Sequence, residues 1–133
     1  ASSAGRAASH TLHVAFSYRL GSFELAPEFT AGDGITALVG ASGAGKTLTL
    51  RAIAGLVAPQ AGRIELQGDT LFDAGQGVAI APQTRRIGVV FQQYALFPHL
   101  TVAQNVAYGL AQRTEAERQA DVRSWLSLVG LEA

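Results

Sequence analysis

The chain has 133 residues, with 10 basic and 10 acidic side chains, zero net charge, no cysteine and no methionine. That length allows one domain, and 48% apolar against 15% charged residues provides for a packed core and excludes overall disorder. Zero net charge argues against broad steering to nucleic acid, so no nucleic-acid partner is expected; the absence of cysteine excludes disulfides and thiolate metal sites, and no apolar run approaches the roughly 18 residues of a spanning helix.

Residues 1–10 are small and polar without an apolar stretch and read as a flexible leader, opening on Ala1 in the manner of a processed or excised chain. Leu12, Val14 and Phe16 alternate with His13 and Ala15, and Phe23 and Leu25 follow a Leu20-Gly21-Ser22 break, which predicts two strands joined by a tight turn. Ile35 to Val39 is nearly continuous and β-favouring, the pattern of a strand buried on both faces. It runs into a glycine-rich loop, and Leu50, Ile53, Ala54 and Val57 then mark one face of a helix that Pro59 ends. Ile64 to Gln67 alternates as a strand before a Gly68-Asp69 turn; Asp73 to Arg86 reads as a loop or short strand excursion, with Arg85-Arg86 a solvated turn pair. A second buried strand is predicted over Ile87 to Phe91, delivering Gln92 and Gln93 at its end. Two helices follow, opened by capping boxes at Thr101…Gln104 and Thr114…Glu117. In the second, Val122, Trp125, Leu126 and Val129 form the expected buried stripe and Gly130 stands just past its end. His10, His13 and His99 lack acidic or cysteine neighbours at ligand spacing.

Gly40-Ala41-Ser42-Gly43-Ala44-Gly45-Lys46-Thr47 matches G-x-x-x-x-G-K-[ST] between a predicted strand and a predicted helix, the context a phosphate-binding P-loop requires. Glycines at 40, 43 and 45 let successive N–H groups converge on a phosphate, and the helix adds the positive end of its dipole there. In that arrangement Lys46 reaches the β- and γ-phosphates and the Thr47 hydroxyl ligates the bridging Mg²⁺. Lys46 is the only lysine of the chain.

With this motif, Gly34 to Gly40, Leu50 to Leu56, Gly62-Arg63-Ile64, Arg86 to Gln92 and Leu96 to Val102 with Asn105-Val106, the sequence resembles the nucleotide-binding subunit of ABC transporters over about residues 12–133. Gly34-Ile35-Thr36-Ala37, Leu71-Phe72-Asp73-Ala74 and the excursion at 73–86 are most similar to the ATPases of molybdate and related oxyanion importers, whereas Tyr94 to Phe97 is closer to sulfate or generic importers. The resemblance implies an α/β fold: a P-loop core with an N-terminal antiparallel β part over 11–92, and the start of a helical subdomain over 93–133. It implies ATP and Mg²⁺ as ligands, a second nucleotide-binding subunit, and a permease docking at the Gln92–Asn105 region on the cytoplasmic face of the membrane. Gly40 to Thr47 with the Leu48 backbone N–H would hold the nucleotide. Gln92 takes the place of the Q-loop glutamine, near Mg²⁺ or the attacking water.

Two positions depart from the family pattern. Leu48 stands where many relatives carry a second Thr, and Leu20 where an aromatic stacks on adenine, with Tyr18 and Phe23 the nearest substitutes and Tyr18 equally suited to strand packing. The family completes its site with an LSGGQ signature, a Walker B aspartate with a catalytic glutamate, and a switch histidine. Residues 93–133 hold none of these, and Leu126 to Ala133 resembles the text just before the signature. The expectation is an N-terminal part that binds Mg-nucleotide weakly and hydrolyses it negligibly alone. The alternatives are a small P-loop kinase or GTPase, whose Asn-Lys-x-Asp motif a second lysine would have to supply, and a non-hydrolysing nucleotide-binding module.

Overall fold

β1 (Leu12–Leu20) is the strand to which the others are added, because its alternation is strict enough to give it one apolar face. Val14 and Phe16 on that face are buried, while His13, Ala15 and Arg19 on the other are exposed. At its far end the chain turns on Gly21-Ser22, with Gly21 at φ 60°, and returns as β2 (Phe23–Leu25), Leu20 facing Phe23 and Tyr18 facing Leu25. This is the predicted hairpin. β3 (Glu28–Ala31), which the sequence reading does not contain, then pairs with the first half of β1 on the same edge.

A computed structural model describes residues 11–93 and 95–131 of the chain; the predicted leader and Tyr94 lie outside the described residues. The chain divides into two compact units, Ala1–Val89 and Val90–Ala133.

In the first unit, β4 (Ala61–Leu66) pairs with the other edge of β1, β5 (Asp69–Asp73) with β4, and β6 (Val78–Ala79) with β5, every pairing antiparallel. The β4–β5 turn lies at Gln67-Gly68, both with positive φ (56° and 87°) as primed hairpin turns require, so Asp69 begins β5 and is not part of the turn. A bulge between Ile64 and Glu65 shifts the β4–β5 register. It lets two successive residues, Leu71 and Phe72, both turn inward. α1 (Lys46–Ile53) lays Ala52 and Ile53 into the same core as Val14, Phe16, Ile64, Leu71 and Phe72. Its buried face is Thr49, Ala52 and Ile53; Leu50, predicted to face inward, is half exposed, and the helix ends at Ala54-Gly55, well before Pro59.

The two predicted buried strands do not form. Residues 35–39 and 87–91 pair with no strand, and Ile35, Val39 and Val90 are fully exposed or nearly so. An apolar run becomes a buried strand only where neighbouring strands and a covering layer exist, and the described residues supply neither. Ile87 alone of the second run packs on the core.

In the second unit, α2 (Val102–Ala107) and α3 (Glu115–Leu128) open on the two predicted capping boxes. Thr101 Oγ1 accepts from Gln104 N–H at 3.2 Å while Thr101 N–H donates to Gln104 Oε1 at 2.8 Å; Thr114 and Glu117 exchange the same pair at 3.4 and 3.0 Å. Gly130, at φ 70°, closes α3 as predicted: its N–H reaches Ser127 O and that of Leu131 reaches Leu126 O, the paired bonds of a Schellman motif. The expected stripe is only partly buried. Val122 is covered and Leu126 half covered, but Trp125 and Val129 face solvent, because α2 alone is too short to cover that flank of α3. Among the described residues no helix is long and apolar enough to cross a membrane.

Candidate functional site

The glycine-rich loop ends on Gly45, which serves α1 as its N-cap at φ 87° and offers no side-chain acceptor. The first intrahelical bond runs from Thr49 N–H to Gly45 O at 2.8 Å, so the N–H groups of Lys46, Thr47 and Leu48 point out of the helix end without a helical partner. No acidic residue occupies the first turn. The positive end of the helix dipole is therefore neither capped nor neutralised, the electrostatic condition for receiving an anion.

Gly45 is fixed by a close neighbour as well as by its φ. A Cβ there would stand 2.7 Å from Leu25 Cδ1, so the end of the loop lies directly against β2. Lys46 spans the loop, its ammonium donating to Gly40 O and Ala41 O at 2.7 Å each, and Ala44 N–H closes a turn on Ala41 O at 3.2 Å. Gly40, Ala41, Ser42, Gly43 and Ala44 are exposed around this centre, as is Thr47, while Leu48 is half-buried. Predicted residues 40–48 thus form one continuous stretch from the loop into the first turn of α1, with the Lys46 ammonium held on the loop's own carbonyls.

Tyr18 is half-buried against the core and faces Leu25, the residue that touches Gly45. Leu20 and Phe23 continue the same face of the hairpin outward and are exposed. An apolar ledge consequently runs from the loop end along the hairpin. Phe23 is its accessible aromatic and Tyr18 its packed one.

The other end of α1 corrects the reading of Arg85-Arg86. Arg86 is exposed, but Arg85 is buried and donates from Nη1 to Ala52 O (3.0 Å) and Ile53 O (2.7 Å), and from Nε to Ile80 O (2.8 Å). Burial holds the guanidinium below its ordinary pKa. A basic doublet before a strand looks solvated in sequence; only the return of residues 80–85 to the end of α1 reveals the contact.

Gln92 belongs to the second unit, exposed at a bend after the 87–91 run. Beyond it, Asn105 ties the following turn to α2, a role absent from the sequence reading. Its Oδ1 accepts from Phe97 N–H at 2.8 Å and its Nδ2 donates to the carbonyls of Phe97, Leu100 and Thr101 at 3.0–3.2 Å. The Phe97 ring lies 4.3 Å from that of Tyr108, centroid to centroid.

A family model described as ABC transporter matches residues 28–133. The Molybdenum import ATP-binding protein ModC of Rhodospirillum rubrum is 46% identical over 113 residues, 85% of this chain and 30% of that protein. The protein of the same name from Mesorhizobium japonicum is 40% identical over 121 residues (91% and 33%), and that of Salmonella typhimurium 46% over 123 residues (92% and 34%). The chain spans about a third of the length of these curated relatives. With a mixed α/β architecture and a P-loop opening a core helix, and with the family model covering most of its length, the chain belongs to the ABC transporter family.

Proposed function

We propose that the chain is the phosphate-binding part of the ATP-binding subunit of a molybdenum or related oxyanion importer. The observation that carries this reading is the open start of α1. Three first-turn N–H groups have no internal acceptor, no side chain caps them, and the one lysine lies over the loop that leads into them. Phosphate is the ligand class this geometry suits, since the free first-turn N–H groups are anion donors and the ammonium adds a mobile point charge. The relatives named for molybdenum import support the oxyanion as cargo.

In this reading Gly40 to Gly45 and the N–H groups of Lys46, Thr47 and Leu48 hold the phosphates, and Lys46 exchanges its carbonyl partners for β- and γ-phosphate oxygens. Thr47 and Gln92 present the hard oxygen donors that Mg²⁺ takes, and Thr47 does so from an exposed position on the first turn. Bound Mg²⁺ would neutralise phosphate charge. Tyr18 with Phe23 supplies the ledge for the base. Residues 11–92 form the nucleotide core and 93–133 the start of a helical subdomain. The Gln92–Asn105 region faces the permease, and a second nucleotide-binding subunit completes the assembly at the cytoplasmic face of the membrane.

Titration of the chain with ATP and Mg²⁺ tests this directly. Saturable binding that Lys46→Ala weakens at least about tenfold is expected, from the loss of one charge-assisted contact of roughly 1.5–3 kcal/mol. Absence of saturable binding, or equal binding by the variant, overturns it. For the cargo, ATP-dependent uptake of molybdate in preference to uncharged solutes by the assembled transporter is the expected result.

A further inference from the structure

The segment leaving β6 is fastened to α1 by one side chain. Arg85 follows a 3-10 turn at Pro82–Thr84 and is 7% exposed. Its three bonds reach two different parts of the chain: the last-turn carbonyls of α1, and Ile80 O on its own segment. None of the ion pairs among the described residues includes it, so its charge is met by the carbonyl end of the helix dipole. The opposing backbone is shaped for it. A Cβ at Gly55, where φ is 80°, would stand 2.6 Å from Arg85 Nε and 2.8 Å from Cζ.

Closing the helix end does not by itself require this arrangement. A Schellman pair already serves two of the last carbonyls, Gly55 N–H to Ala52 O at 3.1 Å and Leu56 N–H to Arg51 O at 2.9 Å. The Ile53 carbonyl, which that pair does not serve, needs one further donor. Arg85 supplies it, doubles the bond to Ala52 O and bridges to Ile80, holding the helix end against a separate segment. α1 has only eight residues, about 12 Å at the usual rise, so a shift at one end is carried to the other. At that other end stand the free N–H groups of Lys46, Thr47 and Leu48.

We propose that Arg85 is a positioning residue for nucleotide: by bracing the last turn of α1 against residues 80–85 it sets where the first turn and the phosphate loop stand. The inference rests on the nucleotide-binding reading above. It makes the fork of Arg85 essential and its charge alone insufficient, because a lysine ammonium on a flexible stem cannot hold both segments in one plane.

The test uses the full chain with Arg85→Lys and Arg85→Gln, at a temperature where circular dichroism shows each variant folded. Two quantities are read: the backbone amide resonances of Gly45 to Leu48 without nucleotide, and the Kd for ATP with Mg²⁺. Both variants should displace those resonances and raise Kd about tenfold, a misplacement effect, with the lysine variant failing despite its charge. Resonance changes confined to residues 50–56 and 80–86, with unchanged Kd, are what a purely local cap gives and overturn the proposal. If the unsubstituted chain shows no saturable ATP binding, the nucleotide reading falls and the amide resonances alone decide whether Arg85 positions the loop. Where the Arg85 variants unfold, Gly55→Ala keeps the arginine and presses a Cβ onto its guanidinium. Unmoved Gly45 to Leu48 resonances in that variant overturn the proposal equally.

Discussion

α1 begins differently from α2 and α3. Both later helices open on a hydroxyl and an N3 amide or carboxylate, so two exposed backbone donors of each, those of the N-cap and N3 residues, are satisfied within the chain. α1 starts on a bare glycine in a left-handed conformation, with no side-chain acceptor and no acidic residue in its first turn. Yet α1 is the helix whose side chains enter the core, and its other end is closed twice over, by a Schellman pair and by Arg85. A sequence able to cap two helices by local means leaves uncapped the one helix that opens at the glycine-rich loop. In the proposed reading these free donors are where the phosphate binds.

Filling the glycine is expected to damage this contrast most. Gly45→Ala places a Cβ in a left-handed backbone and 2.7 Å from Leu25 Cδ1. It should cost about 2–4 kcal/mol in chemical denaturation, from the conformational penalty and overpacking together, and abolish ATP binding. Adding Leu25→Ala should return the overpacking part only. The cost of Gly45→Ala should be smaller in a Leu25→Ala background than in the native one, and an equal cost in both would show that Leu25 is not the obstacle. Next in size, ATP with Mg²⁺ should act as the missing cap. At 100 times its Kd, a ligand that binds only the folded chain stabilises by about 2.7 kcal/mol, and amide exchange should slow most at Lys46, Thr47 and Leu48. Uniform slowing along α2 and α3 instead would contradict a cap local to α1.

The open start of α1 was legible in sequence because its cause is local: glycine spacing, one lysine, and no hydroxyl or acid at the cap. The same holds for both capping boxes, the first hairpin and the Gly130 stop. Features whose cause lies elsewhere in the chain were not legible. Ile35 to Val39 has the composition of a buried strand, but burial depends on neighbours that composition does not contain. β5 itself was not read in sequence, because Leu71 and Phe72 both turn inward at a bulge in the register and so show no alternation. Arg85 looked like half of a solvated doublet because the carbonyls it serves lie 32 and 33 positions away in sequence. The four bonds of Asn105 that shape the turn after Gln92 were not legible either, because they join one amide to backbone groups four to eight positions away with no spacing signal.

Removing a box hydroxyl should have a smaller effect than either change at α1. Thr101→Ala and Thr114→Ala each delete an N-cap acceptor and should cost about 1 kcal/mol. Ser42→Ala, at a hydroxyl that caps no helix, should stay within about 0.5 kcal/mol. Equal losses at all three positions, measured by denaturant midpoints at constant slope, would remove the distinction between capped and uncapped starts.

Acid gives the smallest effect and the cleanest comparison, because the two boxes differ in one atom type. α2 carries Gln104 at N3 and α3 carries Glu117. The Thr114 hydroxyl, and then its backbone N–H, hold the Glu117 carboxyl below its ordinary pKa. A carboxylate depressed in the folded state contributes stability that is present above its unfolded value, near 4.3, and is lost as pH falls through the folded one. Gln104 has no proton to gain in that range. Between pH 6 and pH 2.5 the first turn of α3 should therefore fray, seen as lower amide protection, relative to the intrinsic exchange rate at each pH, at Glu115 to Arg118, while Val102 to Asn105 change less. Glu117→Gln should remove the part of that response owed to Glu117 and leave the part owed to Glu115, whose carboxyl Gln119 and then Arg118 hold below its ordinary pKa. If both turns still fray together in that variant, the loss comes from acid unfolding of the unit as a whole and not from the capping carboxylate.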